Sequence, residues 1–279
     1  MKKWVMIDQR INAIRNFIDF NVGAKVGVEL DSNGFRNGLT LWFEDLGRTR
    51  GPLIYLGPTG LKRHEVILRF ADYSKPVVEE ISAAAEEKLV TARALFQTIT
   101  GDEVSATFPE KMDAENWLID SAKFELRFER RNIDQPLSEY ELEKTSNEIV
   151  LPLMGALAEL IGYEEIAETS DEDDALYEGA VKISNIRVRE RNPRNRLLCL
   201  RLHGERCQIC GFMPEERYGA AGNIIEVHHL QPLSSNDTSR PYSPKDDLIP
   251  LCPNCHRAVH SRSPVPYTPG EISDLMNDG

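Results

Sequence analysis

The sequence predicts an α+β protein in two parts, a front domain of helices and a mainly antiparallel sheet, and a smaller back domain closed by metal. Three observations lead there. Short alternating apolar and polar runs, separated by turn residues, fill much of the first half. Four of the five cysteines and four of the six histidines crowd into residues 207–260. The charge also changes sign along the chain. Residues 1–180 hold 20 Lys and Arg against 34 Asp and Glu, a balance of −14, whereas residues 181–279 hold 13 against 11, a balance of +2. The overall charge of −12 therefore belongs to the front and says little about what the back binds.

Each element has a local reason. Ile7, Ile11, Ile14 and Ile18 recur at helical spacing and predict a helix over 6–20. Strand-like runs follow at 25–30, 39–43, 53–56 and 64–70, with Asp31-Ser32-Asn33-Gly34 and Pro58-Thr59-Gly60 as turns. That pattern suits a meandering antiparallel sheet. Pro76 opens a helix to about Thr98, with Ile81, Ala84, Ala85, Leu89 and Ala92 on its apolar face. Residues 123–130 alternate strictly and read as a half-exposed strand. Another helix runs from Ser138 to Ile161, interrupted near Pro152. The acidic run Glu164–Glu178 has few apolar residues and reads as a linker. The division is an acidic α+β recognition or regulatory domain over 1–165, a linker over 166–180 and a back domain over 181–279. Asn192-Pro193 is an N-cap and N1 pair for a helix to about His203, which Gly204 closes.

No run of 18 apolar residues occurs, and the start lacks the long apolar core of a secretion signal. The expectation is a cytoplasmic protein with no membrane partner. In a reducing compartment, paired Cys-x-x-Cys motifs read as metal sites rather than disulfides. Two basic spots in the front domain, Arg48-Thr49-Arg50 and Lys62-Arg63-His64, fall on expected loops and read most simply as ordinary surface. Trp42 and Trp117 read as core residues.

Cys207-x-x-Cys210 and Cys252-x-x-Cys255 each bring two thiolates to one ion. Four thiolates close a tetrahedral zinc site, which is structural and compensates for a small core. Cys199 stands apart and reads as a small buried apolar residue. Ile224–His229 looks like a strand that ends before Pro232. Neighbours on a strand point to opposite faces, so His228 and His229 have different tasks unless the strand bends there. His256 and His260 lie four apart on an expected helix, share a face and can hold one ion. Core or capping histidines are the plainer alternative.

Together, Cys207-x-x-Cys210, Glu226-Val227-His228-His229-Leu230-x-Pro232, Asp247-Leu248 and Leu251-Cys252-Pro253-Asn254-Cys255-His256-x-x-x-His260 resemble an HNH endonuclease. The form is the zinc-stapled one found in many bacterial restriction enzymes, and the resemblance covers about residues 190–270. It implies a ββα-metal fold, a hairpin and a helix around one divalent ion. It implies that His229 is the general base, that His228 and His256 are metal ligands, and that His260 is a further helix histidine on the metal or the phosphate. Asp247 stands where many members have an Asn that braces the loop of the base. An Asp accepts hydrogen bonds there but cannot donate as an amide does. The implied cofactors are a structural zinc ion and one catalytic cation, Mg2+, Mn2+, Ni2+ or Zn2+, with three nitrogen ligands favouring a transition metal. Glu226 either orients an imidazole or is an exposed strand residue.

The basic stretch after the linker then supplies candidate phosphate contacts, Arg187, Arg189, Arg191, Arg194 and Arg201, with Arg257 beyond it. A solvated basic face is the alternative. The implied activity is cleavage of foreign or modified DNA in a restriction or phage-defence setting. One active site per chain and two strands to cut imply a homodimer. Three rivals stand beside this reading: a nuclease effector gated by a ligand or protein at the front domain, a zinc-stapled DNA-binding module without catalysis, and cleavage of RNA. The front domain carries no motif that points to a family.

Overall fold

The computed structural model describes residues 2–31, 38–99, 103–136, 138–163, 193–230, 243–262 and 265–277. The acidic run Glu164–Glu178, Ser32–Gly34 of the first expected turn, Arg187, Arg189, Arg191, Asn192 and Pro232 lie outside the described residues.

Helix α1 (Lys2–Val22) leads into strands β1 (Val26–Asp31) and β2 (Gly38–Phe43), the short helix α2 (Gly47–Arg50), and strands β3 (Pro52–Thr59) and β4 (Arg63–Phe70). Helices α3 (Lys75–Ser82) and α4 (Glu86–Gln97) follow, then β5 (Val104–Thr107) and β6 (Leu126–Arg130). The six strands form one antiparallel sheet in the order β1-β2-β3-β4-β6-β5, so the expected meander is its first four strands. Alternation decides which face is buried. In β4, His64, Val66, Leu68 and Phe70 point into the core, while Arg63 and Arg69 point to solvent. Strand β5 escapes the sequence pattern because it lies at the sheet edge, with Ser105, Ala106 and Thr107 all exposed.

Two expected helices differ in detail. The stretch over 76–98 is two helices rather than one, broken where Ala85 turns extended (φ −61°, ψ 151°). Alanine carries no local signal for a break. Both pieces pack against a later helix, and that tertiary contact sets the bend. The stretch over 138–161 runs as α5 (Glu139–Thr145), one π-helical turn (Ser146–Val150) and α6 (Leu151–Ile161). Pro152 has no N–H for the carbonyl of Glu148 and crowds it, so the wider turn forms just before the proline. All eleven residues of α6 are buried, and Gly162 ends it in the left-handed conformation (φ 85°). A helix buried all round is the centre of a core. Its one charged residue, Glu159, therefore needs a partner from elsewhere in the chain.

The front basic spots are absorbed by structure. Arg48 pairs with Glu29 and lies over the Trp42 ring, and Arg50 donates to the carbonyls of Asp45 and Leu46. Lys62 pairs with Asp134, and Arg63 with Glu129. His64 is fully buried, with its Nδ1 against the Thr145 hydroxyl and its Nε2 donating to the Pro136 carbonyl. Trp117 is buried, as expected of a core residue.

The back of the chain holds α7 (Pro193–His203), α8 (Pro214–Tyr218), a short 3-10 turn (Gly219–Ala221), β7 (Glu226–His229), α9 (Pro244–Asp247), β8 (Leu248–Leu251), α10 (Pro253–Val259) and α11 (Pro269–Asn277). A second, small core gathers Leu200, Cys207, Ile225, Ile249, Leu251, Cys252, Cys255, Val259 and Ile272. Helix α7 serves both cores. Leu197 and Leu198 belong to the front one, and Leu200 to the back one. Burying each leucine contributes roughly 1.5–3 kcal/mol, which seats α7 firmly against α1 and α6. Gly204 takes the left-handed conformation (φ 76°), and its N–H closes the helix on the Leu200 carbonyl at 2.8 Å. Among the described residues, no helix is long and apolar enough to cross a membrane.

Candidate functional site

The four cysteines meet although 41 residues separate the pairs. Cys207 and Cys210 sit in a tight turn, where the Cys207 N–H bonds the Phe212 carbonyl (3.0 Å) and Gly211 donates back to the Cys207 carbonyl (2.9 Å). Gly211 has φ 71°, a conformation that glycine adopts at least cost. The Gln208 N–H reaches the Pro250 carbonyl (3.0 Å) and ties this turn to β8. Cys252 caps α10, its sulfur accepting from the Cys255 N–H, and Pro253 follows at the first helical turn. All four Sγ atoms lie within 4.8 Å of one another.

The donor set fits zinc. A tetrahedral ion with Zn–S bonds of about 2.3 Å spaces its sulfurs about 3.8 Å apart, and Cys210 Sγ and Cys252 Sγ stand 3.8 Å apart. All five cysteines are free thiols. Burial works against ionising Cys207, but the N–H groups of Cys210, Cys252 and Ile209 outweigh it and hold that thiol below its ordinary range. Cys199 is different. It is fully buried, and burial pushes its thiol up to about 12, so it is inert packing.

The histidines are carried by a hairpin and a helix. β7 and β8 pair antiparallel with His228 opposite Ile249 and His229 opposite Leu248, and α10 packs against both strands. His228 is buried and faces α10, where His256 and His260 share one side. The three rings meet edge to face with centroids 4.9–5.4 Å apart, and one ring nitrogen from each lies within 4.8 Å of the others. His229 is half-buried and alternates to the other side of the strand, so it stands outside that trio.

Protonation follows from the surroundings. Burial first, then the neighbouring His256, His260 and His229, push His228 down to about 4, so it is neutral and has a lone pair to offer. His256 Nδ1 donates to the carboxylate of Glu226. That contact fixes the tautomer and leaves the His256 Nε2 lone pair for an ion. Of the two readings of Glu226, the orienting one matches its position. Three imidazoles at this spacing suit one divalent ion with open positions.

Asp247 is buried, and its role runs through both its side chain and its backbone. Its carboxylate accepts the Ser243 N–H (2.8 Å), and its carbonyl accepts the Leu230 N–H (2.9 Å), the residue next to His229. The acceptor-only chemistry of Asp suits this turn.

The family model described as HNH endonuclease matches residues 207–262. The C-terminal third carries an HNH domain. The chain is also similar to the Type IV methyl-directed restriction enzyme EcoKMcrA of Escherichia coli (strain K12), with 39% identity over 56 residues. That match covers 19% of this chain and 18% of the relative's length. The HNH domain contains every predicted cysteine and histidine ligand, together with His229 and Asp247.

The predicted DNA-binding arginines divide. Arg257 is exposed on α10, next to His256. Arg194 and Arg201, expected to face phosphate, make contacts inside the chain. Arg194 is 4% exposed, with Nε on Glu159 at 2.5 Å and further donors on the carbonyls of Val22 and Tyr163. It is the partner that Glu159 requires. Arg201 donates to the hydroxyl and carbonyl of Thr98 and to the carbonyls of Asn147 and Glu148. It therefore replaces the bond that Pro152 denies to Glu148. Both guanidiniums are thus engaged within the chain, Arg194 in the interior and Arg201 at a half-buried position. Two residues escaped the sequence reading, Arg196 and His203, which hold backbone carbonyls of the HNH domain. Their one sequence signal is a seven-residue spacing.

Proposed function

We propose that the chain is a metal-dependent DNA endonuclease of the restriction type, acting on foreign or modified DNA. The observation that carries this reading is the trio His228, His256 and His260 beside His229, on a hairpin and helix inside the HNH match. His228, His256 and His260 would hold one divalent cation, which when bound supplies charge neutralisation at a scissile phosphate. His229 takes the proton from the attacking water. Glu226 keeps His256 in the ligating tautomer, and Asp247 holds the backbone beside His229. Cys207, Cys210, Cys252 and Cys255 hold a structural zinc ion, which suits a reducing, cytoplasmic setting. Arg257, with Arg187, Arg189 and Arg191, supplies phosphate contacts. Two copies cut the two strands.

Modified DNA enters by analogy with the methyl-directed relative, and the acidic front domain over 1–165 is the part that reads it. The test is cleavage of unmodified and base-modified DNA by the wild type and by His229→Ala, with Mg2+, Mn2+ and Ni2+ in turn. Loss of a general base lowers kcat about 10²- to 10⁴-fold. Equal cutting by both proteins would remove His229 from the mechanism. No cutting by either protein, under any metal, would remove the nuclease reading.

A further inference from the structure

Helix α7 carries two polar pairs, Arg194 with Arg201 and Arg196 with His203. Seven residues are about two turns, so each pair lies along one face, and a two-residue offset sets the faces about 200° apart. The first pair reaches into the front half, to Glu159, Val22 and Tyr163 from Arg194, and to Thr98, Asn147 and Glu148 from Arg201. The second pair reaches into the HNH domain. Arg196 Nη2 donates to the Asn223 side chain (2.8 Å) and to the Ile225 carbonyl (3.0 Å). Ile225 immediately precedes β7, the strand of His228 and His229. His203 Nε2 donates to the Lys245 carbonyl (3.0 Å) in α9. Two residues later, Asp247 takes the N–H of Leu230, directly after His229. One face of α7 therefore holds the entry to the histidine strand and the turn that closes behind it.

We infer that Arg196 and His203 are positioning residues for hydrolysis, and that α7 aims the His228–His229 strand from an anchor in the front half. The inference rests on the nuclease reading above. β7 and β8 are four residues each. A hairpin that short does not hold its own geometry. The zinc cysteines brace β8 and α10 at one end, where Glu226 pairs with Leu251 and its carboxylate meets His256; α7 adds a second support, to Ile225 just ahead of β7 and to Lys245 in the α9 turn. Leu197 and Leu198 keep α7 from sliding, since both are packed in the front core. A displacement of about 1 Å at a catalytic group costs about a hundredfold in rate, so two hydrogen bonds at these places act on the chemistry without touching it.

The test uses the full zinc-loaded chain and the variants Arg196→Met, Arg196→Lys, His203→Leu, His203→Gln and Arg201→Met. The readouts are kcat and KM on the DNA that the wild type cuts, the thermal midpoint, and the visible spectrum of Co2+ added to the zinc-loaded protein. Arg196→Met and His203→Leu are expected to lower kcat about ten- to a hundredfold with KM within about twofold. They are also expected to change the Co2+ spectrum. His203→Gln keeps an N–H donor near the Lys245 carbonyl and recovers most of the rate, as Arg196→Lys does in part. Arg201→Met touches nothing in the HNH domain, yet it lowers kcat in the same direction. Variants with wild-type kcat and spectrum would overturn the inference alone. So would losses that only follow the thermal midpoint and that Gln does not recover. A wild type that cuts no DNA under any metal would overturn the nuclease reading, and this inference with it, whether or not it binds Co2+.

Discussion

The pair Glu159–Arg194 joins the front core to the helix that carries the HNH domain, and its worth can be worked out. The side chains are 10% and 5% exposed, and the bond is 2.5 Å long. Removing one partner strands a charge in the interior, which costs about 3–5 kcal/mol. Glu159→Leu and Arg194→Met should each lose about that much, out of a total of about 5–15 kcal/mol for a domain. With a urea slope of roughly 2 kcal/mol/M, each single change moves the midpoint by roughly 2 M. The double variant strands no charge. It leaves the carbonyls of Val22 and Tyr163 short of a donor, at about 1–3 kcal/mol each. The double change should therefore cost less than the two singles together by about 3 kcal/mol, at the upper end for neighbouring groups. Urea titrations of the zinc-loaded protein and its three variants close the cycle. Additive losses, or single changes below about 1 kcal/mol, would show that the pair does not act as a buried unit.

Further outcomes follow from the same geometry. Cys252→Ser should release zinc and loosen the back core while Cys199→Ala keeps a full zinc content, as read by metal analysis after gel filtration. Retention of zinc by Cys252→Ser would rule out the four-thiolate site. Glu226→Gln should weaken divalent-metal binding at the histidine trio about 10- to 100-fold, measured by calorimetry on zinc-loaded protein, and an unchanged affinity would leave Glu226 a surface residue. Burial first, with the nearby Arg130 adding to it, holds His64 below the ordinary histidine range. Its contribution to stability is present above a pH of about 6.5, the unfolded value, and is lost as pH falls below it, because only the unfolded chain then takes up the proton. The urea midpoint should fall less between pH 7.5 and 5.5 in His64→Gln than in the wild type, and equal slopes would refute the assignment.

Much of the candidate site was legible because its chemistry is local. A Cys-x-x-Cys turn must present both sulfurs to one side, and histidines four apart on a helix must share a face. The antiparallel meander was legible for the same kind of reason, since β4 and its neighbours alternate with period two. Legibility ended where a neighbour distant in sequence decides. The break at Ala85 has no local cause, and Glu226 could not be told from an exposed strand residue until His256 came to lie against it.

The arginines of α7 show the division most clearly. By itself, the sequence determined that residues 207–260 would carry two Cys-x-x-Cys pairs and a set of histidines at metal-ligand spacing, because ligand type and spacing are short-range properties. It also determined that the stretch ahead of them would be basic. Only the tertiary structure decided that Arg194 serves Glu159 and the carbonyl of Val22, 172 residues away, while Arg201 serves a carbonyl left open by Pro152. A guanidinium satisfies a phosphate, a carboxylate or a carbonyl equally well. Which one it meets depends on what the fold brings within 3 Å, and composition does not carry that information.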